Sequence, residues 1–338
     1  VKGLAAYVLR RLLLIPLILL VISAVTFALG RFAPSDYVEI QAGERASPET
    51  IARIKEERGL NDPVYEQYGR YLWRFLHGDF GVSTKYRGVD VEEVIFPRLW
   101  VTVQYNLIAT VLVFAIGLPV GTWAALKRGT WLDPLAIGVF LVLASVPVVV
   151  TIPILQWLLA VKLGILPSGG WETVDLFGGA LRVDAINTNF GEVGIFSKQI
   201  ILPVLILTLP GIAGVARYMR AQVLEVLDQD YVRTARAKGL QEFAVVSRHV
   251  ARNALLPIAT IMGFELAGLL SGSIFLETLL GIPGIGSFAF ESITARDYDS
   301  IMAIVLIGAT AFMLANLLVD IAYGFIDPRI RLSGEAQG

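Results

Sequence analysis

The chain of 338 residues is 55% hydrophobic and 17% charged, with a formal net charge of −1 at pH 7. Soluble domains run at about 45–50% apolar and about 25% charged residues, so both departures point into a membrane, and the balanced charge argues against a polyanion-binding surface. Cysteine is absent, which removes disulfides, thiolate metal sites and cysteine nucleophiles; the two histidines, His77 and His249, are too few and too far apart for a metal cluster.

The first element is an apolar run from Leu12 to Leu29 behind Arg10 and Arg11. It is longer than a signal-peptide core and ends in "GRFAPSD" rather than a small-x-small cleavage site, so it reads as a retained span. A spanning helix needs about 20 apolar residues. That requirement gives spans at roughly 10–30, 101–125, 134–160, 200–219, 255–280 and 300–325. The fold expected is all-α and polytopic, with six transmembrane helices and both termini on one side of the membrane. Basic residues fix which side. Lys2, Arg10, Arg11, Lys127, Arg128, Arg217, Arg220, Arg233, Arg236, Lys238, Arg248, Arg252, Arg329 and Arg331 gather on the side of the termini. The opposite short loops hold only Lys162, Arg182, Lys198 and Arg296. The termini are therefore expected in the cytoplasm.

Four regions are expected: 1–30, with the first span; 31–100, a small external helical domain; 101–325, a five-helix core; and 326–338, a cytoplasmic tail. In the external region, "SPETIARIKEERGL" predicts a helix with Ser47 as N-cap, Pro48 at its first position and Gly59 as its stop. A second helix through "PVYEQYGRYLWRFLHG" places Tyr68, Leu72, Phe75 and Leu76 on one face. Within 161–199, "VDLFGGALRVDAI" has the pattern of a short hairpin. Pro16, Pro119, Pro147, Pro153, Pro203 and Pro210 fall in spans, either as kinks repaired by neighbouring helices or as kinks that shape a pathway.

Between the fourth and fifth spans lies "YVRTARAKGLQEFAVVSRHVARNALLP", 231–257, basic and built of helix formers. Asp230 is expected to cap a helix through Lys238, and Gly239 to end it in the left-handed conformation. A second helix is expected from Gln241 and Glu242 towards Ala251, with Pro257 opening the fifth span. A loop lying on anionic lipid explains the arginines but not the small Ala235, Ala237 and Gly239, because a lipid-facing helix carries bulky apolar residues. The segment suits a protein socket better.

Ionisable residues inside spans are costly and point to function by default. Glu265, in "GFELAGLLSGSIFLE", either faces a pathway and meets a cationic substrate group such as a peptide amino terminus, or is held by a donor on a neighbouring helix. Gly268 and Gly272 have the small-xxx-small spacing of close helix packing. Glu277 and Asp320 lie nearer span ends, where hydration is easier, and read as structural. "GIPGIGS", 281–287, looks like a phosphate loop but lacks the lysine of GxxxxGK[ST] and a preceding strand, so it is expected to be a tight turn at the external mouth. No GxSxG, HExxH or paired carboxylates support an enzyme.

"DYVRTARAKGLQEFAVVSRHVARNALLP" resembles the cytoplasmic EAA loop of permease subunits in binding-protein-dependent ABC importers, and more narrowly the first permease of the dipeptide, oligopeptide and nickel uptake family. "LRRLLLIPLILLVISAVTFALGRFAPSD", "ERGLNDPVYEQYGRYLWRFLHGDFGVS", "ETLLGIPGIGSFAFESITARDYDSIMAIVL" and "NLLVDIAYGFIDPRIR" resemble its other segments, in family order. The resemblance implies a type I importer permease fold whose coupling loop, about 228–252, docks on an ATP-binding subunit. Tyr231, Arg233, Thr234, Ala235, Lys238 and Gly239 are the residues implied to do so. Arg233 stands where the general pattern has glutamate, and Ala251–Arg252 where it has Leu-Pro, which narrows the branch. Glu265 replaces a glutamine common in the family.

The chain is implied to be non-catalytic and to bind no cofactor, ATP and magnesium belonging to two partner ATPase subunits. A second homologous permease, an external solute-binding protein and membrane lipid are the other implied partners, with no nucleic acid. The implied location is the bacterial or archaeal cytoplasmic (inner) membrane. Peptides are the substrates implied, with nickel chelates and oligosaccharides as the branch's alternatives. A secondary transporter or channel is the competing class; it needs ion-coupling groups or inverted repeats, of which the sequence offers only Glu265.

Overall fold

A computed structural model describes residues 2–31, 47–57, 59–86, 88–171 and 198–326. The expected hairpin at 174–186 lies outside them, as does the tail. The described residues are almost wholly helical, with one isolated bridge between Val82 and Asp90.

Helix α1 (Lys2–Arg31) is followed by the short α2 (Pro48–Glu57) and α3 (Val64–Leu76). The Ser47 hydroxyl accepts from the Thr50 amide at 3.2 Å, and Gly59 ends the turn at φ +61°, as the sequence predicts. Tyr68 and Tyr71 of α3 pack on Phe27 of α1, and the Tyr68 hydroxyl donates to the Leu20 carbonyl at 3.0 Å. Tyr68, Leu72 and Phe75 share the half-buried face, but Leu76 is exposed. Gln67 is the buried residue of α3, its amide tied to the Leu60 and Asp62 carbonyls at 3.0 and 2.7 Å. At the end of α3, Arg74 grips Asp79 with two hydrogen bonds of 2.8 Å, which raise the guanidinium pKa and hold the carboxyl below its ordinary range.

Helix α4 (Val91–Leu126) starts ten residues before the apolar run predicts. In "VEEVIFPRLW", Val91, Val94 and Ile95 bury one face against Ile285, Phe288 and Ala303, and Glu92 and Glu93 sit favourably in the first turn. The third apolar stretch is broken at Val146–Pro147 into α5 (Leu132–Ser145) and α6 (Val148–Leu155), the latter continued by a π-helical segment, Gln156–Lys162. Helix α7 (Ile201–Leu227) packs along α4. Their closeness rests on absent side chains. A Cβ at Gly121 would overlap the Ala216 carbonyl, and one at Gly211 would sit 2.5 Å from Val113.

Helix α8 (Asp230–Ala237) follows, then the short α9 (Glu242–Ala244), a π-helical segment (Val245–Ala251) and α10 (Arg252–Gly268). Here the expectation of a separate cytoplasmic helix and a span opening at Pro257 is corrected. Val245, Ala251 and Arg252 all hold right-handed helical angles, so residues 242–268 form one rod with Pro257 inside it. The fifth span does not reach 280 either. Helix α10 ends at Gly268, and α11 (Ile274–Leu280) and α12 (Ile285–Ala295) form a pair bent by 89° before α13 (Tyr298–Ile326). Among the described residues, four helices are long and apolar enough to cross a membrane, or six if each bent pair counts as one crossing.

Buried polar contacts tie residues 83–98 to α12 and α13. Asp297 is fully buried and accepts from the hydroxyls of Ser83 at 2.6 Å and Ser300 at 2.8 Å. Glu291 meets Lys85 at 2.7 Å and Arg98 at 3.3 Å, with the Arg98 guanidinium 4.8 Å from the Phe288 ring centre.

Candidate functional site

The segment from Asp230 to Ala251 has two faces. Val232 and Ala235 of α8 are buried in a cluster with Met219 and Val223 of α7 and with Val245, Val250 and Ala254 of the following rod. Tyr231 links the same elements at the surface, its hydroxyl accepting from the Asn253 amide at 3.1 Å. Gln229, not Asp230, occupies the N-cap position of α8 and makes no side-chain cap; Asp230 is the first helical residue, 3.6 Å from Arg233. Gly239 ends the helix at φ +77°, in the left-handed region as expected. Arg236 then reaches across the turn to Glu242 with bonds of 3.1 and 2.7 Å, which raise the guanidinium pKa and hold the Glu242 carboxyl below its ordinary range.

Of the six residues implied to dock, Tyr231, Arg233, Thr234, Lys238 and Gly239 lie exposed, and Ala235 does not. Its small side chain lets α8 lie close on its own chain's core. Two residues that sequence reasoning passed over join the exposed face: Leu240, 44% exposed, and Phe243, 84% exposed. A large apolar side chain left so open beside a charged turn was the available signal.

The second feature is a cavity of about 450 Å³ between α4, α7 and α10. Asn106, Thr110, Arg217, Tyr218 and Glu265 supply its polar wall, and Val113, Phe114, Leu207 and Ile261 are among its apolar lining. Glu265 is exposed into this space, and no ion pair or hydrogen bond holds its carboxylate among the described residues. Gly268 has open space around it, whereas a Cβ at Gly272 would overlap the Gly286 amide, so the expected glycine pair contributes one close contact.

The "GIPGIGS" turn does cradle an anion, but one from its own chain. Gly281 ends α11 at φ +64°, Gly284 caps α12, and the Ser287 amide donates to Glu277 at 2.8 Å. The Thr102 and Tyr105 hydroxyls donate to the same carboxylate at 2.8 and 2.5 Å. Glu277 is fully buried, so its expected hydration is corrected; direct hydrogen bonds replace water. His77 is exposed against Trp73, and the His249 carbonyl accepts from Asn253 at 2.7 Å. Among the described residues, no three acidic or histidine side chains are grouped to hold a metal ion.

Two family profiles match the chain. One, described as "Binding-protein-dependent transport system inner membrane component", covers residues 117–332; its N-terminal companion, "Binding-prot-dependent transport system membrane comp, N-term", covers residues 4–86. The "Dipeptide transport system permease protein DppB" of Escherichia coli (strain K12) is 38% identical over 336 residues, covering 96% of this chain and 98% of its own length. The "Oligopeptide transport system permease protein AppB" of Bacillus subtilis (strain 168) is 37% identical over 328 residues, covering 96% and 99%. A solved chain titled "Inward facing conformations of the MetNI methionine ABC transporter: CY5 native crystal form" overlays with a TM-score of 0.49 at 16% identity, covering 69% of this chain and 96% of that one. With a profile spanning most of its length and relatives aligned nearly end to end, the chain belongs to the family of inner membrane components of binding-protein-dependent transport systems.

Proposed function

We propose that the chain is one of two permeases enclosing the pathway of an ATP-driven peptide importer. Both termini and the 230–251 segment lie in the cytoplasm, and the region before α4 lies outside. A homologous permease completes the pathway, two ATPase subunits carrying ATP and magnesium power it, and an external binding protein delivers substrate. The dipeptide and oligopeptide systems named for the relatives support the substrate class.

The observation that carries the reading is the two-faced α8. One face is fused to α7 and to the 242–268 rod through Val232 and Ala235; the other, with the turn and α9 that follow, offers Tyr231, Arg233, Thr234, Lys238, Leu240 and Phe243 to a partner. Both fused elements line the cavity. A push on the exposed face is thereby delivered to two of the three cavity walls. ATP-driven approach of the ATPases would turn the permease halves outward to receive substrate, and hydrolysis would reset them. Glu265 lines the route as a contact for the amino terminus of the substrate.

Phe243→Asp and Gly239→Asp in the assembled complex test the coupling. Both are expected to uncouple it, with peptide-stimulated ATP hydrolysis and uptake reduced at least about tenfold, as for loss of an interface anchor. Uptake and hydrolysis unchanged in both variants would remove the coupling role.

A further inference from the structure

The cavity between α4, α7 and α10 holds two opposite charges, and they do not neutralise each other. Arg217 of α7 and Glu265 of α10 line the same space, both are exposed into it, and among the described residues neither forms an ion pair or hydrogen bond. Elsewhere the chain pairs such groups. Arg220, one turn beyond Arg217, is clamped to Asp133 at 2.6 Å, and Arg98 meets Glu291. Charges within spanning helices are costly unless paired, in water or in use. An open pair of opposite sign in one chamber is the arrangement left when each awaits a group from outside the chain.

Their spacing follows from the helix contacts. Asn106 donates to the Leu269 carbonyl, so Glu265 lies about one turn below that level, near Thr110. Gly211 packs on Val113, and Arg217 lies six residues, about 9 Å, further along α7. The two backbone levels are therefore on the order of 13 Å apart. Side chains slope towards the N-terminus of their own helix, and α7 and α10 run in opposite directions, α7 parallel to α4 and α10 antiparallel to it. Arg217 and Glu265 thus lean towards each other across a gap that an extended chain of two to four residues bridges, at about 3.4 Å per residue. Val113, Phe114, Leu207 and Ile261 border the space between them, where side chains would lie.

We infer that Arg217 and Glu265 are the two poles of a substrate chamber for short zwitterionic peptides, Glu265 receiving the free ammonium end and Arg217 the free carboxylate end. This rests on the peptide reading above and adds that both termini are sensed within the permease. Arg217 binds the carboxylate through its forked donors, and the cavity sets an upper limit on length.

The test is photo-crosslinking in the complete transporter, binding protein included, reconstituted in lipid. The probe is a tripeptide with a diazirine side chain at its middle residue, supplied in excess as the free form, the N-acetyl form or the C-terminal amide. Labelling of this chain is read separately from labelling of the binding protein. The free form is expected to label it about tenfold more than either blocked form, the value of one charge-assisted contact. Glu265→Gln removes the penalty on the N-acetyl form alone, Arg217→Gln removes that on the amide alone, and Arg217→Lys keeps both. Equal labelling by all three forms in the unsubstituted complex overturns the inference and needs no variant to fold. Penalties unchanged in both Gln variants overturn it as well, placing recognition elsewhere. If the complex takes up no free peptide and none labels this chain, the peptide reading itself falls; uptake with equal labelling leaves that reading standing.

Discussion

At the scale of single residues, Glu277 shows how a carboxylate becomes part of a fold. Three donors of the chain itself hold it: two hydroxyls from α4 and the Ser287 amide at the start of α12. Replacing it with alanine strands all three in a buried site, at a cost on the order of 3 kcal/mol. Glu277→Ala is therefore expected to lower the melting temperature of the purified complex markedly, and Glu277→Gln, which still offers one acceptor, much less. Thermal unfolding in detergent checks the order. The sequence placed this acid near a span end, but its burial was not legible because Thr102 and Tyr105 stand more than 170 residues away. Local chemistry was legible. Ser47, Gly59 and Gly239 act where their neighbours alone predict.

Among the elements, close packing separates glycines that look alike in sequence. Gly272→Ala is expected to disturb the seating of α12, while Gly268→Ala, with open space around it, is expected to be neutral in assembly and uptake. Gly121→Val is expected to prevent α7 from closing on α4 and to abolish accumulation of the complex, measured by membrane yield. The α8–α9 turn has an acid dependence of known sign. Arg236 holds the folded pKa of Glu242 below its unfolded value, so the pair's contribution is present above about pH 4.3, the ordinary glutamate value, and fades as the pH falls through the lowered one. The pair is exposed and worth under about 1 kcal/mol, so faster amide exchange over 236–243 in acid is expected without global unfolding. Helix boundaries were less legible than helix existence. The apolar pattern puts the start of the second span at 101 and makes Pro257 a start, whereas burial by other elements, not local composition, decides both.

For the whole molecule, the apolar window of α7 is 44% buried and that of α1 only 11%, which makes α4 and α7 the centre and α1 a flank. The class of fold was readable from apolar run lengths, and the family from short segments in order; the cavity was not, since its walls come from three distant stretches, α4 and α7 joined by glycine contacts and α10 tied to α4 through Asn106. The helical run from Glu242 to Gly268, about 40 Å long, meets the proposed docking surface near one end and carries Glu265 near the other. Close to that far end, Gly263 sits hard against Val319 of α13. A continuous helix braced there would turn about its brace: thrust applied at Phe243 would move the near arm most and Glu265, two residues from Gly263, least. If Arg217 and Glu265 hold the two ends as proposed, such a lever would widen the chamber from the arginine side while the ammonium stayed held, and the carboxylate end of a bound molecule would be the first to be let go.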